Sequence, residues 1–135
     1  MELIQIVVDS GLFVLVWLVQ LVIYPGFRYY SEVDMKRWHQ PYSKRMTIIV
    51  LPLMVSQLLV YCYLNIKDVS VQSLFTLLLV ISTWIITFRL AVPLHQEIDL
   101  SVDSNASIVK LVRVNWIRTA IWTFVFILNL LNYAD

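Results

Sequence analysis

Charge is scarce in this sequence. Only 14% of its 135 residues are Asp, Glu, Lys or Arg, against 60% hydrophobic, and the formal net charge is +1. A soluble domain carries about a quarter charged residues, so the chain falls outside that class. The near-zero net charge gives no electrostatic footprint for nucleic acid. Cysteine is represented by Cys62 alone, which excludes an internal disulfide and leaves the redox compartment unmarked. With two glycines there is no Walker loop and no GxSxG elbow, and no HExxH pair is present either. Nucleotide hydrolysis and the familiar serine and zinc peptidase chemistries therefore lack support.

Long apolar runs fill the chain instead, giving a mean hydropathy of +0.78. A hydrocarbon core of about 30 Å takes about 20 helical residues to cross. Four candidate spans fit, at about 3–24, 46–64, 71–92 and 108–131. Runs such as "LFTLLLVISTWII" do not alternate as the strands of a barrel must, so the expected fold class is all-α: a single four-span integral membrane helix bundle. Nothing basic precedes the first span and no small-residue cleavage site follows it, so it is expected to be retained.

Orientation follows from the basic residues. Arg28, Lys36, Arg37, Lys44 and Arg45 flank the first connection, and Arg89, Lys110, Arg113 and Arg118 flank the third. The second connection has Lys67 alone. The positive-inside rule then predicts cytoplasmic first and third connections, with both termini outside, as in a bacterial inner membrane.

The second connection, "NIKDVSVQ", is a tight turn that makes spans two and three antiparallel neighbours. In the first, Pro25 and Gly26 break the span, and Ser31 with Asp34 reads as a helix start. A short interfacial helix over about 32–39 is predicted between spans one and two, which Pro41 ends or kinks into span two. Pro93 ends span three, and "DSNAS" offers caps before span four. Each half thus reads as span, proline, histidine-bearing connection, span, the pattern of a parallel internal duplication or simply of paired hairpins.

Both histidines, His39 and His95, fall beside a proline at the basic end of the bundle. With Glu97 they form a candidate metal set, for zinc or iron, or a haem site; as interfacial residues bonded to carbonyls or headgroups they would need neither. In span four, Asn115, Arg118 and Thr119 recur at i, i+3 and i+4 and share one face, with Trp116 on another. Facing inward, Arg118 can meet a carboxylate, a phosphate or a quinone carbonyl; facing outward, it is an interfacial anchor. Arg89 reads as a snorkelling residue. Asp9 is the one acid deep in a span. Either span one begins near Gly11 and Asp9 is interfacial, or it is buried and its partner is a hydroxyl, an amide or a proton. Pro52 predicts a kink in span two, and Gln57 an interhelical hydrogen bond.

Three strings together, "WHQPYSKRMTIIVLPLM", "VPLHQEIDL" and "LVRVNWIRTAIW", resemble an uncharacterised family of small bacterial tetraspan membrane proteins. These share a histidine ahead of span two, a PLH at the end of span three and an NWxRT early in span four. A looser likeness in size and topology links the chain to anthrone-oxygenase-like membrane proteins. The resemblance implies a common fold and a shared site at the cytoplasmic side, with His39, Arg45, Pro52, Pro93, His95, Asn115, Trp116, Arg118 and Thr119 as its motif residues.

Three function classes follow. In one, the protein binds a metal, haem or quinone-like lipophile for redox chemistry, with His39, His95 and Glu97 as metal ligands and Arg118, Asn115, Thr119, Trp116 and Arg45 holding the ligand. In another it is a non-enzymatic tetraspan, a homo-oligomer or a subunit of a larger membrane assembly. A small oligomeric transporter with Asp9 titrating is a third.

Overall fold

The computed structural model describes residues 2–134. Four long helices follow one another, α1 (Glu2–Tyr29), α2 (Glu32–Lys67), α3 (Val71–Leu100) and α4 (Asn105–Ala134), and no strand occurs among the described residues. All four are long and apolar enough to cross a membrane. The chain is an all-α four-helix bundle. Each helix packs on the next, and α4 closes the square against α1. The outer surface carries large apolar side chains, such as Ile48, Leu59 and Leu78, on the faces turned away from the core. Such a surface suits acyl chains.

The helix ends are set by local chemistry. Ser31 caps α2 by accepting from the Asp34 amide at 3.1 Å, as its spacing predicted. Ser70 and Ser73 form a reciprocal capping box at the start of α3. Asn65 ties the α2–α3 turn together by donating to the carbonyls of Tyr61 and Ser73. At the opposite end, the Ser104 amide and hydroxyl both donate to Glu32, which fastens the third connection to the start of α2.

The prolines behave differently from expectation. The predicted interfacial helix over 32–39 is helical, but it is continuous with span two, so that α2 runs unbroken through both Pro41 and Pro52. Pro25 and Pro93 do not end their spans either. Each is preceded by one π-helical turn, Val19–Ile23 in α1 and Thr87–Ala91 in α3, and each opens a further α segment. A proline ring clashes with the carbonyl four residues back and offers that carbonyl no N–H. The wider turn accommodates both, and the proline then stands in the first turn of the next segment, where no N–H is required.

Hydrophobic packing divides along the axis. At the basic end, Phe27, Met35, Ile98, Ile108 and Leu111 form the core. Leu12, Val16, Met54 and Trp122 fill the middle, and Tyr61, Val80 and Val125 the end that carries the termini. Polar groups are threaded through this core at two levels.

Candidate functional site

At the basic end, four side chains from three helices form one hydrogen-bonded line. The Tyr24 hydroxyl lies 3.0 Å from Nε2 of His95, Nδ1 of His95 lies 2.8 Å from Nε2 of His39, and Nδ1 of His39 lies 2.7 Å from Oδ1 of Asp99. His39 is fully buried, and Asp99 is 22% exposed at the open end of the line. The two π turns explain the register. Tyr24 directly follows the first, and His95 sits four residues beyond the second, so both project inward where their helices approach α2. Phe27 meets His39 edge-on, and Tyr42 lies tilted against both histidines.

With Asp99 as a carboxylate, donor and acceptor inventory gives the line one sense. A carboxylate only accepts, so Nδ1–H of His39 donates to Asp99. Nε2 of His39 then accepts from Nδ1–H of His95, whose Nε2 accepts from the Tyr24 hydroxyl. Moving one proton from each donor to its acceptor gives the mirror arrangement. Asp99 becomes a carboxylic acid, both rings carry Nε2–H, and the Tyr24 oxygen is free to receive another proton. Both arrangements satisfy every group, which is what a proton relay requires.

The tyrosine end of the line opens into a cavity of about 350 Å³. Its walls are apolar over most of their extent, with Val16, Val19, Met46, Val50, Met54, Ala91 and Val92. Tyr24, Tyr42, His95, Asp99, Asn115 and Arg118 make its polar end. Thr47 and Leu51 of α2 and Phe88 and Gln96 of α3 line it yet are exposed, so the cavity opens sideways between these two helices.

Arg118 is held inward. It is 7% exposed, donates to Oδ1 of Asn115 at 3.1 Å, and lies 4.9 Å from the centroid of a Trp122 ring. Asn115 in turn donates to Gln20, in the first π turn, at 2.8 Å. Nε of Arg118 and Oγ of Ser43 are buried in the cavity wall without a hydrogen-bond partner.

A second polar network lies nearer the termini. Asp9 is 2% exposed and accepts from Gln57 (2.7 Å), Tyr61 (2.6 Å) and Asn129 (2.8 Å). Gln57 also accepts from the indole of Trp122 at 3.0 Å, so Asp9 connects through Gln57 and Trp122 to the wall of the cavity. Of the two expectations for Asp9, the buried one matches. Its partners are a hydroxyl and amides.

The structure thus brings His39, His95, Asn115 and Arg118 to one place. It puts the other sequence candidates elsewhere. Glu97 is exposed and accepts from Ser107, away from both histidines. All four imidazole nitrogens are engaged by one another, Tyr24 or Asp99, and among the described residues no three His, Cys, Asp or Glu side chains gather as a metal-binding set. Thr119 is buried but bonds back to the Asn115 carbonyl. Trp116 is 47% exposed and meets Trp17 edge-on, and Arg45 is exposed, 5.8 Å from the Trp38 ring. Tyr24, Asp99, Gln20 and Tyr42 escape a reading of the sequence. Asp99 stands at i+4 from His95, a spacing that signals a shared face once the helix is known to continue past Pro93.

Comparison of the chain with protein-family models, with curated proteins and with solved structures finds no match.

Proposed function

We propose that the protein binds a lipophilic molecule with an oxygen-bearing head in the side-opening cavity and exchanges a proton with that head through the line Tyr24, His95, His39 and Asp99. The observation that carries this reading is the meeting of the two features. The relay starts at Tyr24 on the cavity wall and ends at Asp99, a partly exposed carboxylate that also borders the cavity.

The apolar walls would take the hydrocarbon body of such a ligand, and Asn115, Arg118 and Tyr24 would meet its head, as the few convergent polar groups of small-molecule sites do. A proton leaving the head passes to the Tyr24 oxygen as the Tyr24 proton moves to Nε2 of His95. The shift continues to His39 and leaves Asp99 protonated. Release to water follows at the basic end, which the positive-inside rule would place in the cytoplasm, with both termini across the membrane. A quinone-like head would meet the same groups. Its reduction also takes electrons, which this line does not carry, so the reading is confined to binding and proton exchange. A metal or haem at the histidines would have to displace the hydrogen bonds that now occupy every ring nitrogen.

The test is extraction of the purified protein in mild detergent, followed by mass spectrometry of the retained molecules, for the natural sequence and for Thr47→Trp. Thr47 is an exposed lining residue, so a larger ring there closes the mouth without entering the packed core. Stoichiometric retention of a lipophile, lost in Thr47→Trp, is the expected result. Equal extracts from both would overturn the cavity assignment and leave the assembly reading.

A further inference from the structure

Among the described residues the buried guanidinium in the cavity wall has no counter-ion. The one contact of ion-pair length among them joins the neutral His39 ring to the Asp99 carboxylate, and Arg118 has no carboxylate within that distance. Its partners are the amide oxygen of Asn115 and the ring of Trp122, with the Tyr24 hydroxyl nearby. One of its N–H groups, at Nε, is unmatched. Asp99 lines the same cavity, but its Oδ1 is taken by His39. A side chain that carries a full positive charge at this depth is costly unless an anion faces it. No second Lys or Arg lines the cavity.

From this we infer that the cavity is a site for an amphipathic carboxylic acid, bound as its monoanion with the carboxylate against Arg118 and the hydrocarbon chain along the α2–α3 opening. The inference rests on the lipophile-binding reading and names the ligand class. A single guanidinium matches one negative charge, and its planar fork suits a carboxylate. A phosphate dianion would leave one charge uncompensated in a low-dielectric wall. A neutral alcohol, ester or quinone would leave Arg118 as it is now.

The class also gives the relay a purpose. A carboxylic acid enters from the acyl-chain region most readily as the neutral acid. On reaching Arg118 it loses its proton to the Tyr24 oxygen, the Tyr24 proton moves to Nε2 of His95, the Nδ1 proton of His95 moves to Nε2 of His39, and the Nδ1 proton of His39 moves to Asp99. The products are the bound carboxylate, both rings in the other tautomer and a neutral Asp99. One O–H bond breaks at the ligand and one forms at Asp99, with no electron transfer and no co-reactant.

Full-length protein in nanodiscs of zwitterionic lipid is titrated by calorimetry with dodecanoic acid, with its methyl ester and with dodecanol, and the titrations are repeated on Arg118→Gln and Arg118→Lys. The expected result is acid binding at least tenfold tighter than alcohol or ester. That preference falls to parity in Arg118→Gln, which still takes the alcohol, and is partly kept in Arg118→Lys. Equal affinity of acid and alcohol for the natural sequence overturns the carboxylate assignment while leaving the lipophile reading standing, and a preference that survives in Arg118→Gln does the same. Failure of all three probes to bind the natural sequence overturns both. Should Arg118→Gln not fold, the comparison of acid with alcohol and ester on the natural sequence decides by itself.

Discussion

Nε2 of His39 and Nδ1 of His95 face each other at 2.8 Å, with the two rings inclined by only 21°. This contact joins α2 to α3 and makes two separate histidines one hydrogen-bonded pair, because each ring has its second nitrogen committed to an oxygen on the far side. The pair has a polarity set by Asp99, and that polarity is measurable.

The chain has only these two histidines, so 15N spectra of histidine-labelled protein contain just two rings. In the ligand-free protein both are expected to carry the proton on Nδ1 and to present an unprotonated Nε2. A ring protonated on Nε2 at rest would show that the line runs the other way. Substituting His39→Ala should cost on the order of 1–3 kcal/mol in a detergent unfolding assay, since it strands Nδ1 of His95 and removes the Asp99 partner together.

Replacing Asp99 by asparagine separates resting geometry from proton movement. The amide side chain of Asp99→Asn keeps a carbonyl oxygen able to accept from Nδ1–H of His39, so the resting tautomers should be unchanged. It has no site for the relayed proton. Proton release accompanying ligand binding, followed with a soluble pH indicator, is expected to vanish in Asp99→Asn and in Tyr24→Phe. Undiminished release in Asp99→Asn would place the exit elsewhere.

The π turn before Pro93 can be tested directly. In Pro93→Ala the residue regains an N–H for the Arg89 carbonyl, and the turn Thr87–Ala91 can relax to ordinary α geometry. Removing the extra residue of a π turn rotates the downstream part of the helix by about 100° about its axis, one residue of an α-helix. His95 would then leave His39. The expected outcome is a stable, helical protein whose 15N spectrum no longer shows the paired rings. Retention of the pairing would mean that packing against α4 and not Pro93 holds the register.

The prolines decide how much of this is legible in the sequence. The four spans are legible because apolar length alone specifies them. That Asn115 and Arg118 share a face is visible from their i, i+3 spacing, though not that the face turns inward, and the convergence of His39 and His95 is visible from topology. The carboxylate is not. With Pro93 taken as a terminus, Glu97 is the nearest acid to His95, whereas the helix continues and aims Asp99 at His39. Tyr24 is hidden for the same reason, standing beside a proline that reads as a break. A π turn has no composition of its own, so the pattern that betrays it is the proline downstream. Pro41 and Pro52 show why this signal is weak, since α2 passes both without such a turn.

Gly11 marks a close approach of α1 to α2. A Cβ placed there would meet the side chain of Leu53 at 3.5 Å, an ordinary contact. Gly11→Ala is therefore expected to be neutral, or to stabilise by up to about 1 kcal/mol through helix propensity. Gly11→Leu should lower the unfolding temperature in detergent, because a branched chain cannot fit between the helices without moving Leu53. Equal tolerance of both would show that α1 and α2 can separate here without loss.

Asp9 supports the fold from the other end of the bundle. It receives donors from Gln57, Tyr61 and Asn129, so one carboxylate binds α1 to α2 and to α4. Interhelical hydrogen bonds in membranes average about 0.6 kcal/mol each, and three of them set a loss of about 2 kcal/mol for Asp9→Ala. Unmatched donors in the core add to that figure. Asp9→Asn retains one acceptor oxygen and should lose less. The loss should also reach the cavity, because Gln57, freed from Asp9, no longer holds the Trp122 indole against which Arg118 rests. Asp9→Ala is thus expected to weaken acid binding as well as stability, and Gln57→Leu to weaken binding with a smaller effect on unfolding. If Gln57→Leu leaves the acid affinity unchanged, the Asp9 network serves stability alone and the two polar levels of the bundle are independent.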